Sequence, residues 1–146
     1  MIAQLGADIL AKVKTVPALA TQTGLTIGGH SQDPGLLKVS LPAAWIVMKG
    51  DQIDDDPSMT HGASTGFVAF SQTMLAVWSV TVFVPYVDDN DLLTVQYPLL
   101  ELVINAVHGT ATIAHQWCYI GQKIALVFPD RLAYELRFSV NYPTQA

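Results

Sequence analysis

Charge is what this sequence has least of. Charged residues fill 13% of its 146 positions, about half the share usual in soluble domains. Only seven are basic: Lys12, Lys14, Lys38, Lys49, Lys123, Arg131 and Arg137. They are scattered, and the net charge is -5. That excludes the lysine- and arginine-lined stripe of a nucleic-acid-binding surface. Glutamate is confined to Glu101 and Glu135. A single cysteine, Cys118, excludes an intrachain disulfide and a multi-cysteine zinc site. Its setting, Trp117-Cys118-Tyr119, predicts a buried apolar thiol. The opening residues lack a basic-then-apolar leader pattern. No apolar stretch approaches the ~20 residues of a membrane span. Glycine-rich phosphate loops, the dinucleotide fingerprint, GxSxG, HExxH and CxxC are all missing.

What is abundant is apolar surface. Hydrophobic residues make up 51% of the chain. A single domain of this size with so few charges has trouble covering its surface with polar groups, which predicts either exposed apolar patches or, the favoured reading, their burial against other subunits. The whole span, residues 1–146, reads as one domain, with no repeat, linker or low-complexity tract.

Two segments carry the helical period. Ile2, Leu5, Ile9, Leu10 and Val13 define one face of an opening helix, with Lys12 and Lys14 in its last turn and Pro17 ending it. Leu92, Leu99, Leu100, Val103, Ile104 and Val107 define a second, capped by Asp88 to Asp91 and closed by Gly109. Pro98 inside it predicts either a kink or a main body that starts there. Residues 20–42, rich in Gly, Thr, Ser and Pro, predict a long excursion with at most a short strand.

The strand signals are Ala43 to Lys49, Gly66 to Pro85, His115 to Ile120 and Ile124 to Phe128. Within the second, Phe67, Ala69 and Ser71 predict a short strand and Met74 to Val84 a longer one, in which Trp78, Val80, Val82 and Val84 share a face. Its other face is also largely apolar, which predicts a strand covered on both sides. Gly121 separates the last two. The clearest pattern comes at the end. Leu132, Tyr134, Leu136, Phe138, Val140 and Tyr142 alternate with Arg131, Ala133, Glu135, Arg137, Ser139 and Asn141, a half-buried strand with one polar face. Helix, strands, helix, strands predicts an α+β fold: a mainly antiparallel β-sheet with two principal helices packed on one face.

Candidate chemistry is thin. Asp51, Asp54, Asp55 and Asp56 with His61 downstream supply oxygen ligands for a hard cation, but lack the spacing and distal glutamate of a calcium loop. A solvated acidic loop is the better reading. His30, His61, His108 and His115 show no ligand spacing. His108 suits a last helical turn, where a donor satisfies carbonyls. Glu135 lies between Arg131 and Arg137 on one strand face, where charges pair with each other or with a partner subunit. No catalytic set, metal site or cofactor is nominated, and a non-enzymatic protein is the expectation.

MIAQLGADILAKVK, then LPAAWIVMKGD, MLAVWSVTVFVPY, YPLLELVINAVHG and RLAYELRFSV follow one another in an order that resembles the tail-terminator proteins of tailed phages, of the Mu-like and lambda-like type. The resemblance covers most of the chain but contains no signature motif. It implies a structural virion protein that closes as a homohexameric ring, caps the tail tube, ends its polymerisation and joins the tail to the neck or head. The implied partners are further copies of the chain, the tail-tube protein, a neck or connector protein and, in contractile tails, the sheath. DNA would pass without specific binding, no membrane is involved, and assembly would occur in the bacterial host cytoplasm. Asp54, Asp55 and Asp56 are then candidates for a lumen or tube-facing loop, and Arg131, Glu135 and Arg137 for the subunit interface. Alternatives are another head–tail connector or tail-completion protein, a small-molecule-binding α+β module, and a metal-dependent hydrolase using the Asp51 to His61 loop.

Overall fold

The computed structural model describes residues 2–25, 41–53, 71–86, 88–109, 116–128 and 130–145. Helix α1 spans Ile2–Lys14, and a short 3-10 turn at Pro17–Leu19 leads to strand β1, Thr23–Leu25. Strands β2 (Ala43–Ile53) and β3 (Ser71–Pro85) follow. Then come the one-turn helix α2 (Asp89–Asp91), a π-helical turn over Leu92–Gln96 and helix α3 (Tyr97–Val107). Strands β4 (Cys118–Phe128) and β5 (Arg131–Gln145) complete the order. The strands form one sheet, β1-β2-β3-β5-β4. Among the described residues only β1 and β2 pair in parallel. The fold is α+β.

Strands β3 and β5 pair along their whole lengths, from Ser71 opposite Gln145 to Pro85 opposite Arg131. Their alternation sets one face. Trp78, Val80, Val82 and Val84 join Leu132, Tyr134, Leu136, Phe138, Val140 and Tyr142, with Ala44 and Ile46 of β2 alongside. Leu5, Ile9 and Val13 of α1 and Leu99, Leu100, Val103 and Val107 of α3 pack on that same face. The i, i+4 spacing of each helix supplies the apolar stripe this requires. Each fully buried Leu, Ile, Val or Phe contributes about 1.5–3 kcal/mol.

α1 carries a second tie. Lys12 is buried, and its Nζ lies 2.8 and 2.9 Å from the two carboxylate oxygens of Asp8, one turn earlier. The Trp117 indole N–H donates to Asp8 Oδ2 at 2.7 Å, so α1 is pinned to the chain entering β4.

The second helical segment resolves the difficulty posed by Pro98. A capping box starts it: Asp88 Oδ1 accepts from the Asn90 N–H at 3.0 Å, and Asp91 reaches back to the Asp88 N–H. A proline cannot donate to the residue one turn before it. The π-helical turn over Leu92–Gln96 widens the helix just ahead of it, and Pro98 sits in the first turn of α3. Gly109 then adopts φ 77°, as expected at the end of the helix.

Three expectations need correction. The segment 118–128 is one strand, not two, because Gly121 does not end it. Gly121 (φ 142°) belongs to a bulge in which Ile120 is the extra residue, and a second bulge lies between Ile124 and Leu126. Cys118 is exposed, not buried. It pairs with Ser139 on the face away from the helices, and the buried member of its triplet is Trp117. His108 occupies the C-cap position of α3, but its Nδ1 accepts the Tyr119 N–H of β4 at 2.9 Å instead of donating to a helix carbonyl.

The face of the sheet away from the helices is also partly closed. Ala43, Val47, Ser79, Phe83, Ala133 and Glu135 are buried there, and Trp45 meets Phe83 edge to face at 4.8 Å. This agrees with the apolar character of both faces of β3, and it makes the polar face of β5 less solvated than its composition suggests.

Candidate functional site

On that far face three strands, β2, β4 and β5, bring charge together. Glu135 of β5 is 6% exposed. Its carboxylate lies 3.6 Å from Lys49 Nζ, 3.7 Å from Lys123 Nζ and 3.5 Å from Arg137 Nε. Register explains the convergence. Glu135 is directly opposite both Thr81 and Lys123, and Arg137 is opposite both Ser79 and Gly121. Lys49 is the extra residue of a bulge in β2, next to Gly50 at φ 151°. A bulge adds a residue, bends the strand and re-aims a side chain. Glycine at 50 and 121 adopts backbone angles that a side chain would oppose. Among the described residues two buried polar atoms here, Glu135 Oε1 and Ser79 Oγ, have no hydrogen-bond partner.

Exposed apolar side chains gather at the margins of the sheet. Ile120, Ile124 and Val127 stand exposed on β4, at one edge of the five strands, and Leu25 on β1, at the other. Leu93, Val95, Tyr97 and Leu102 add to the exposed set on the second helical segment. Between α3 and β4 runs a groove of about 350 Å³ lined by Tyr97, Leu100, Glu101, Ile104, Tyr119 and Gln122.

Neither a family model nor a curated protein matches this chain.

The residues singled out from sequence fare unequally. Glu135 and Arg137 come together as their spacing suggests. Arg131 does not join them: it lies four residues away, about 13 Å along the strand, and pairs with Asp130 at 3.2 Å in the β4–β5 turn. That hydrogen bond holds the Asp130 carboxyl below its ordinary value. Asp54, Asp55 and Asp56 lie outside the described residues, as do His30, His61 and His115. Lys49 and Lys123 were missed, because nothing local marks a lone lysine as a partner of residue 135. Among the described residues no group of three His, Cys, Asp or Glu is placed to hold a metal ion. No described helix is long and apolar enough to cross a membrane.

A second polar junction, on the helix side, is structural. Gln96 is buried. Its Nε2 donates to the Pro85 carbonyl at 2.7 Å, and its Oε1 accepts from the Tyr134 hydroxyl at 3.1 Å. Burial, with Tyr97 and Tyr86 adding to it, raises the Tyr134 pKa above the ordinary 10.0. Since the folded value exceeds the unfolded one, this group's contribution to stability is complete below the unfolded value and is lost as pH rises through the folded one. Tyr134→Phe should therefore flatten the alkaline fall of Tm that begins near pH 10.0. Melting curves across that range check it, and an unchanged slope would mean the phenol ionises as freely folded as unfolded.

Proposed function

We propose that this chain is the structural subunit of a phage-type tail terminator, six copies of which close into a ring that caps the tail tube and joins it to the neck. The reading rests on the resemblance in segment order and on one structural observation. Exposed apolar side chains stand at opposite edges of a single sheet, Leu25 on β1 and Ile120, Ile124 and Val127 on β4. A closed ring needs two different, complementary surfaces on opposite sides of each subunit. Burying such side chains between copies also answers the scarcity of charge. Glu135 and Arg137, one strand inward from β4, then stand at the margin of that contact, and Arg131 meets it at the hairpin end. Capping requires only that one face of the ring copies the tube's own contacts and the other lacks them, so no bond is made or broken.

The groove between α3 and β4 favours a second reading, a small-molecule-binding module. Its volume of about 350 Å³ falls at the low end of ligand pockets.

The test is to add the purified protein to polymerising tail-tube subunits and image the tube ends. Rings seated on the ends, with elongation halted, are expected. The Ile124→Asp, Val127→Asp double variant should lose capping with its unfolding free energy changed by no more than about 0.5 kcal/mol, as for other surface substitutions. Tubes that elongate past the wild-type protein with bare ends would overturn the proposal.

A further inference from the structure

We propose that the far face of the sheet carries a receptor site for a doubly charged phosphate group, formed by Lys49, Lys123 and Arg137 around Glu135. The inference does not depend on the ring. It starts from a charge count among the described residues. Three cations surround one carboxylate, so the cluster carries an excess of two positive charges (3 − 1 = 2). The whole chain is at -5, which leaves -7 elsewhere (−5 − 2 = −7). The excess is therefore a local feature built against the general charge of the molecule.

The contacts within the cluster are loose. At 3.5 to 3.7 Å they exceed the roughly 2.7–2.9 Å of a charge-assisted hydrogen bond. Glu135 gathers the cations by charge without taking up their N–H donors. The Lys49, Lys123 and Arg137 side chains remain 36%, 61% and 45% exposed, against 7% for Glu135. The carboxylate is thus a floor and the cations are a rim open to solvent. Ser79, in the cross-strand row of Arg137, adds a buried hydroxyl with no hydrogen-bond partner among the described residues. Gly121, opposite Arg137 on β4, and Gly50, beside Lys49, place no side chain on the rim, and an added Cβ at either would meet open space.

The charge count selects the ligand. A metal ion is repelled by the rim. A single carboxylate or a phosphodiester offers one negative charge and leaves half the excess. A phosphate dianion, free or as a monoester, cancels both charges and offers three or more acceptor oxygens to the guanidinium and the two ammonium groups.

Isothermal titration of the intact protein at low ionic strength, with inorganic phosphate and separately with phenyl phosphate, tests this. One-to-one binding with Kd on the order of 1 mM or tighter is expected, weakening as salt is added. Comparable binding of the two assigns the terminal phosphate group as the determinant; binding of inorganic phosphate alone assigns the free ion. Lys123→Ala and Arg137→Ala, both at exposed positions, should each weaken binding about tenfold. Glu135→Gln has the opposite sign: removing the floor carboxylate should tighten binding several-fold, where a plain structural ion cluster gains nothing. No saturable binding, or binding indifferent to Lys123→Ala and Arg137→Ala, would overturn the proposal.

Discussion

Trp117→Ala is expected to destabilise the protein by about 3–5 kcal/mol, the range for removing a large aromatic from a packed core. Trp117 is fully buried. It meets Trp78 edge to face at 6.4 Å, and its indole N–H is held by Asp8 at 2.7 Å. Its carbonyl also accepts from the Gly109 N–H at 3.0 Å, a backbone contact that survives substitution. Three losses therefore coincide: a cavity forms, the aromatic contact disappears, and the Asp8–Lys12 pair loses a donor inside the fold. Trp117→Phe separates them. It keeps an aromatic ring in the core while removing the N–H and part of the indole volume, and should cost about 1–3 kcal/mol. Urea unfolding of the two variants reads both numbers. A Trp117→Ala protein within about 1 kcal/mol of wild type would mean that this side chain does not join α1 to the sheet.

Gln96→Leu should cost about 2–4 kcal/mol, although leucine is more apolar and of similar volume. The substitution takes the partner from the buried Tyr134 hydroxyl and from the part-buried Pro85 carbonyl, and a buried group left unpaired costs about 1–3 kcal/mol. Added apolar burial offsets part of this. Gln96→Glu sharpens the test. An ionised carboxylate still accepts from Tyr134 but faces the Pro85 carbonyl with no proton to donate. The loss should be large at neutral pH and shrink as pH falls and the new carboxyl is protonated. A Gln96→Leu protein as stable as wild type would show that these two groups find other partners.

Gln96 also shows where local reading reaches its limit. The capping at Asp88, the apolar stripe through Val107 and the glycine after it are short-range chemistry, and each was legible. Pro98 was legible as a problem but not in its solution, because a π-helical turn follows no simple sequence rule. That turn is what brings Gln96 inward to Tyr134, 38 residues away. Cys118 departs from its local pattern for a related reason. Its apolar neighbours suggested burial, but strand alternation places adjacent residues on opposite faces, and Cys118 falls on the outer one at an edge. Gly121 reads locally as a break because a glycine weakens a strand. Here it sits in a bulge, where the same freedom lets the strand continue.

The candidate site was half legible. Glu135 and Arg137 share a face because two residues is the strand period. Arg131 shares that face by the same rule, yet lies too far along the strand to meet them. Lys49 and Lys123 enter from two other strands, one through a bulge.

By itself the sequence determined what depends on near neighbours: two amphipathic helices, the long strands, the caps, and a chain poor in charge. These follow from periods of 3.6 and 2 and from side-chain chemistry within a few residues. Only the tertiary structure decided which strands pair and in what register, and therefore that one buried glutamate meets three cations from three strands. Register is a property of the whole sheet. It is fixed by many weak contacts between residues far apart in the chain, and a shift of one position would turn each of those side chains to the opposite face.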